Sequence, residues 1–513
     1  MTTSTTTDFS GLAFVKGLAV ALVLAIVFIP LWAVDIPPMM DYPNHLARQY
    51  ILERLPTSDY LQTYYVATWT ASPYLAMDAI VQVLATFMPI ATAGKVFLTL
   101  MFLLLALAPL ALNWALFGRA SLIALLGLLF IHNNTVTLGF VNYLFAVGFA
   151  LCLLALWIRA RDGPPWIRLS VFPLLATLLF LSHLFGLVIY GIAAAAYELG
   201  CHIDEVSARK PHAPFHLDAS QWLTLLSLVL QCVIPLCIFL LFGPSTEGLS
   251  ENMYGGIERK LVLLFGAFVN LIPAYSWTLD SRLRFVLPIA ILILLARRKL
   301  EFSRAMLLPV AGLLGLYFAM PQVLFGQERG DHRLFVALAL MITGALRMKP
   351  GAWSPVTYAA AVTAIAALVV TRIVTVTIEW RQADVDYAEY VRAFDTLTDR
   401  SKMYWAIGLP DKQRIVGLRP VFYLPSLAVM KKDLYVPYLF SSSEFTMSYT
   451  QAGAALQNLS VGQVLPNHLS PKWDAIVSNY DYFFLVDAQQ LDTPIPKQLV
   501  QVFQGRTISV YKR

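Results

Sequence analysis

Residues 37–48 read Pro37-Pro-Met-Met-Asp-Tyr-Pro-Asn-His-Leu-Ala-Arg48, and they come directly after the first long apolar segment, Leu12 to Val34. That segment supplies about 20 apolar residues, enough to span the hydrocarbon of a bilayer. A carboxylate, an imidazole and a guanidinium, at Asp41, His45 and Arg48, therefore emerge where the chain leaves the membrane. Pro37, Pro38 and Pro43 hold the backbone extended or turned. Asp41 accordingly sits on a stiff loop, while His45 and Arg48 open a short helix whose one face carries both. A cleavable leader would have a shorter apolar core and a small-residue cleavage site; Trp32 and two prolines stand there instead, so the segment reads as a retained anchor.

The bulk properties agree. Of 513 residues 58% are hydrophobic and 13% charged, and the mean hydropathy is +0.65. This is the composition of a polytopic membrane protein and excludes an ordinary soluble domain. A net charge of +6, spread over short loops, points to orientation in the membrane and excludes nucleic acid as a partner. The four cysteines, Cys152, Cys201, Cys232 and Cys237, lie in or beside apolar segments and suggest neither a disulfide framework nor a zinc site.

Outward from the opening stretch, residues 34–75 form a long first external loop in which Tyr50, Tyr60, Tyr64, Tyr65 and Trp69 alternate with charges, as at a headgroup surface. Apolar segments then follow one another from Tyr74 to Val376. Three basic clusters orient them: Arg159 with Arg161 and Arg168, Arg297 with Arg298 and Lys299, and Arg347 with Lys349. All three are placed in the cytoplasm. The count comes to about 11 spans, or about 13 if Tyr74 to Pro89 and Leu261 to Tyr275 also cross, and either total puts the carboxy terminus outside. From about Gln382 the composition becomes that of a water-soluble domain, with 13 Lys plus Arg and 12 Asp plus Glu over residues 384–513. A helix is expected over Tyr387 to Leu397, and strands over Met403 to Ile407, Tyr482 to Val486 and Thr507 to Tyr511. The division is thus 1–381 membrane part and 382–513 soluble α/β domain.

Polar groups gather toward one outer face. Asn133, Asn134, Asn142 and Tyr143 bracket a turn between two apolar segments, where asparagines either satisfy backbone groups at helix ends or help close a cavity with Asp41. His183 lies near an outer helix end, the position of a packing hydrogen bond more often than of a ligand. Residues 327–333, Gln-Glu-Arg-Gly-Asp-His-Arg, are either a solvated turn with internal ion pairs or a phosphate grip, since guanidinium offers planar, permanently charged donors. No phosphate-loop or dinucleotide glycine pattern is present, so an outward-facing enzyme would draw its donor from the membrane.

An acidic residue just after the first span, many short helices, an arginine-bearing loop before a late span and a soluble outer domain together resemble the GT-C superfamily of integral-membrane glycosyltransferases. The local patterns Asp41-Tyr-Pro-Asn-His45, Gly139-Phe-Val-Asn-Tyr143 and Ser182-His-Leu-Phe-Gly186 look like an uncharacterised bacterial branch of it. The resemblance implies an inverting transferase in the bacterial inner membrane that passes a sugar from a polyprenyl-phosphate donor to an acceptor glycan, lipid or protein on the outer face. Asp41 matches the family's loop carboxylate, the catalytic base. His45 would assist it. Arg329, Arg333, His332 and Arg48 would bind the donor phosphate. Tyr42 stands where many relatives carry a second acidic residue. With Asn44, Asn133, Asn134, Asn142, Tyr143, His183, Glu328 and Asp331 it forms the wider substrate-binding set. Some relatives use a divalent metal; Asp41 with His45 is too small a set of ligands to assign one. The rival reading is a transporter or flippase, which would show paired repeats and deep intramembrane charges; a third is an assembly scaffold.

Overall fold

The computed structural model describes residues 21–23, 25–208, 219–242, 252–267, 271, 277–324, 329–409, 422–441, 445–459, 464–466, 473–491 and 494–513. Twelve of its helices carry the argument. They are α1 (Tyr42–Arg54), α2 (Leu75–Ala85), α3 (Ile90–Phe117), α4 (Val141–Arg159), α5 (Phe172–Ser182), α6 (Leu184–Ala208), α7 (Ala219–Phe242), α8 (Ile257–Phe265), α9 (Trp277–Ala296), α10 (Leu307–Ala319), α11 (Leu334–Gly344) and α12 (Pro355–Phe394). Among the described residues five, α3, α4, α6, α7 and α12, are long and apolar enough to cross a membrane. The chain is a membrane protein. Leu122–Phe130, expected as an apolar segment, is a 3-10 helix buried against α3, α11 and α12. At about 1.5 Å per residue α2 reaches only about 16 Å, half the hydrocarbon thickness. Of the segment expected at Leu261 to Tyr275, residues 268–270 and 272–275 lie outside the described residues.

Backbone chemistry sets the helix ends. Gly118, with φ 73°, closes α3 in the left-handed conformation, and Ser354 caps α12 by accepting from the Thr357 N–H, with Pro355 at the first helical position. Two charges inside the helical body neutralise each other: Arg372 of α12 binds Asp280 of α9 and donates to the carbonyls of Leu129 and His132, each at 3.1 Å. An unpaired charge at that depth would be costly.

The two ends of the bundle differ in chemistry. At one end β2 (Leu300–Phe302) pairs antiparallel with β3 (Leu346–Met348), joining the second and third basic clusters, and Asn113 of α3 donates to the carbonyls of Gly344 and Leu346. Arg159 of the first cluster lies 4.8 Å from the ring of Trp114 on the same α3 end. α11 ends here at Gly344 and begins after Arg333, close to the 133–143 turn and Asp41.

Helix α12 is 40 residues long, about 60 Å and twice the hydrocarbon thickness. The composition break at Gln382 falls inside it. Its last turns carry a mixed sheet: Tyr390 and Phe394 pack on Phe484 with ring centroids 5.7 and 5.5 Å apart. The sheet is ordered β6-β4-β7-β9-β8, from β6 (Val464–Pro466), β4 (Met403–Leu409), β7 (Tyr482–Val486), β9 (Ile508–Lys512) and β8 (Val500–Gln504). β4 is parallel to β6 and β7, and β9 antiparallel to β7 and β8. The three expected strands are β4, β7 and β9. The first loop is knitted onto this region, because β1 (Tyr65–Ala67) pairs antiparallel with β5 (Met447–Tyr449) and the Tyr65 hydroxyl bridges the backbone of Val436.

Candidate active site

The proline-braced stretch places Asp41 at the N-cap of α1, with Pro43 in the first turn. Its backbone is clamped by the neighbouring turn: the N–H of Met40 donates to Thr137 at 2.9 Å and that of Asp41 to Leu138 at 3.0 Å. Asn133 caps the short helix Asn134–Leu138, which ends at Gly139 with φ 86°. A Cβ at Gly139 would stand 2.7 Å from the Asp41 nitrogen, so glycine is required twice, by conformation and by proximity. An N-cap aspartate ordinarily spends its carboxylate on the first turn. Asp41 does not, and among the described residues that carboxylate accepts no hydrogen bond. Its side chain keeps some access to solvent but is enclosed by protein, and this burial pushes its pKa up to about 7 against the lowering pull of Arg333.

Arg333 comes from the opposite wall, where the turn Asp331–Arg333 leads into α11. Its guanidinium lies over three aromatic faces, 4.3 Å from the centroid of Phe140, 5.7 Å from Phe185 and 5.9 Å from Tyr143. The Tyr143 hydroxyl donates to the Arg333 carbonyl. A cavity of about 20 Å³, room for a water-sized group, is lined by Arg329, His332, Arg333, Asn134 and Thr135 among apolar side chains. Arg329 has φ 61°, the left-handed region that non-glycine residues seldom occupy and that clusters at functional sites. Burial foremost, then the guanidiniums of Arg259 and Arg329, hold His332 below the ordinary histidine range against the opposing pull of Asp331.

Several residues expected to meet substrate are engaged with the protein itself. Asn133 accepts from the N–H of Thr135 and Val136 and donates to the carbonyls of Phe130 and Ile131, which exhausts its amide. Asn142 ties the Met77 N–H to the Tyr74 carbonyl, and Asn44 ties the Tyr438 carbonyl to the Phe440 N–H. Tyr42 is fully buried, its hydroxyl in the space a Gly94 Cβ would take. Arg48, expected at the phosphate, is engaged by Asp78 at 2.9 Å, both side chains almost fully buried. Asp331 accepts from Arg259 at 2.8 Å. His183 accepts the Phe185 N–H at Nδ1 and packs against Tyr74 and Tyr143. Glu328 lies outside the described residues.

The sequence reading missed Asp78, Arg259, Phe440 and Phe445. The signal for Asp78 was present, a lone carboxylate in an apolar run. Phe440 and Phe445 come from the carboxy-terminal region: Phe440 packs on the His45 ring at 5.1 Å, and Phe445 lies 4.3 Å from the Arg48 guanidinium and 5.3 Å from the Tyr74 ring. The Tyr50 hydroxyl anchors the same region through Asp433 at 2.6 Å. Nothing in the first loop alone announces this outer wall.

Among the described residues no group of three or more His, Cys, Asp or Glu side chains is placed to hold a metal, and Nδ1 of His45 is turned to Arg48, so the donors beside Asp41 do not fit one. No family model and no curated protein matches the sequence. A solved structure does match: the crystal structure of ArnT from Cupriavidus metallidurans bound to undecaprenyl phosphate, with a TM-score of 0.57 over 97% of each chain at 14% identity. The chain has the GT-C fold. At that identity the GT-C match settles architecture, and the chemistry has to be argued from Asp41, Arg329, His332 and Arg333.

Proposed function

We propose that this chain is an inverting glycosyltransferase that moves a sugar from a polyprenyl-phosphate carrier to a hydroxyl of an acceptor glycan, lipid or protein. The observation that supports it is the placing of a carboxylate unspent on its own helix cap, Asp41, within reach of the charge of Arg333, beside a cavity shared by Arg329 and His332. The GT-C fold adds that a protein of this architecture has been crystallised with a polyprenyl phosphate. Residues 1–381 are the membrane catalytic part and 382–513 an extracytoplasmic domain, in a bacterial cytoplasmic membrane with the three basic clusters inside.

In the reaction the acceptor oxygen forms a bond to the anomeric carbon while its proton passes to Asp41. The bond from that carbon to the phosphate oxygen breaks, and its electron pair leaves with the polyprenyl phosphate. A single displacement inverts the anomeric centre. A carboxylate whose pKa lies near the working pH is suited to take that proton. Arg329 and Arg333 stabilise the charge that grows on the leaving phosphate.

The test is transfer in membranes from a panel of radiolabelled polyprenyl-phosphate sugars, by the wild-type chain and by Asp41→Ala at equal abundance. Transfer is expected from at least one donor, and the substitution should lower it by about 10²- to 10⁴-fold. Transfer that survives in Asp41→Ala contradicts the assignment of the base, and silence across a broad panel favours transport.

A further inference from the structure

Behind each wall of the site an aspartate, an arginine and a histidine make the same chain of contacts. On the first-loop side Asp78 Oδ2 accepts from Arg48 Nη2 at 2.9 Å, and Arg48 Nη1 lies 3.4 Å from Nδ1 of His45. On the other, Asp331 Oδ2 accepts from Arg259 Nη1 at 2.8 Å, and Arg259 Nη2 lies 3.3 Å from Nε2 of His332. Each guanidinium uses one terminal nitrogen for a buried carboxylate and the other for an imidazole.

Guanidinium has only N–H donors and no lone pair to offer. The imidazole nitrogen that faces it must be the acceptor, and the proton of the neutral ring sits on the other nitrogen. That is Nε2 in His45 and Nδ1 in His332. Among the described residues neither of these nitrogens makes a hydrogen bond, and neither is sealed away as Arg48 Nε and the Tyr42 hydroxyl are. A second proton on either ring is opposed by its neighbours. Burial and the Arg48 charge hold His45 down to about 3, and burial with Arg259 and Arg329 lowers His332. The carboxylate that opposes this at His332, Asp331, has Oδ1 4.0 Å from Nε2, beyond hydrogen-bond reach, and that oxygen already accepts the His332 N–H. Position completes the argument. His45 follows Asp41 by one helical turn on the same face of α1, and His332 lines the cavity with Arg329 and Arg333.

We propose that the two relays hold His45 and His332 as uncharged hydrogen-bond donors of opposite tautomer, His45 offering Nε2–H to a sugar or acceptor hydroxyl oxygen beside Asp41 and His332 offering Nδ1–H to an oxygen of the donor phosphate. The tautomers rest on geometry alone; the two recipients rest on the glycosyltransferase reading. Neither histidine then serves as acid or base, and the proton of the reaction belongs to Asp41. Asp78, Arg48, Asp331 and Arg259 are positioning residues, which spare the site the cost of reorienting its donors during reaction.

The test has two arms. In the first, ¹⁵N-histidine spectra of the full chain in lipid nanodiscs are recorded between about pH 5 and about pH 8, with signals assigned by their loss in His45→Gln and His332→Gln. The expected result is an Nε2–H pattern for His45, unchanged across the range, and an Nδ1–H pattern for His332 at its upper end. An imidazolium signal from His45, or the same tautomer in both neutral rings, overturns the proposal. This arm reads the relays whether or not the chain transfers sugar, so their failure is distinct from failure of the enzyme reading. In the second arm His45→Leu and His332→Leu each lower kcat about 100-fold. Glutamine places its amide nitrogen near Nε2 and asparagine near Nδ1. Partial recovery is therefore expected from glutamine at 45 and from asparagine at 332. Equal recovery, or the reverse order, overturns the assignment of the donors.

Discussion

Arg48 and Arg333 are both arginines at the membrane boundary, 1% and 6% exposed, and the sequence offers the same role for each. The structure separates them. Arg48 is held by a buried carboxylate, whereas Arg333 rests on three aromatic faces and is the charge that acts on Asp41. A guanidinium neutralised by a buried carboxylate is framework, whereas the charge of Arg333, seated on aromatic rings, reaches Asp41. Position near Asp41 is thus a weaker guide than the identity of the partner.

Four substitutions sharpen or break this contrast. The largest expected effect is on stability: Arg48→Met leaves Asp78 charged and buried without its partner and should cost about 3–5 kcal/mol. Arg48→Met with Asp78→Asn should recover most of that, since asparagine still accepts from Gln49, which bonds the same carboxylate. Denaturation of the detergent-solubilised chain reads both; a single mutant as stable as wild type would return Arg48 to the pool of available charges. Next, Arg333→Gln should lower kcat about 100-fold through loss of leaving-group stabilisation while costing less stability than Arg48→Met. A loss of stability as large as that of Arg48→Met would make both arginines framework. The smallest effect is at Gly139, where alanine must adopt the φ of 86° and press on the Asp41 nitrogen. Gly139→Ala should cost about 1–3 kcal/mol, seen as a lowered melting temperature with slower transfer.

Much of the site was legible in the sequence. Prolines around Asp41, the asparagine-rich turn and the acidic-to-basic stretch ending at Arg333 each have a local signature, and the turn does return to Asp41, bonding Met40 and Asp41. The strands at 403, 482 and 508 were legible as short β-branched and aromatic runs bounded by turns. The relays were not, because pairing partners are distant: Asp78 is 30 residues from Arg48, Asp331 is 72 from Arg259 and Asp280 is 92 from Arg372. A lone charge in an apolar run announces that a partner exists and says nothing of which one. The asparagines are ambiguous for a related reason. An amide at a helix end looks identical in sequence whether its four hydrogen-bonding positions are open or, as at Asn133, all filled by backbone.

The central claim is that Asp41 is the base and that Arg333 lowers its pKa against burial, and the pH dependence of kcat in wild type and Arg333→Gln tests it most directly. The base acts ionised, and burial holds its pKa at about 7, so transfer should rise with pH through about 7. Arg333 lowers that pKa, so in Arg333→Gln the same limb should move to higher pH. A wild-type profile flat from about pH 5 to about pH 8, or a limb unmoved by the substitution, would contradict the account.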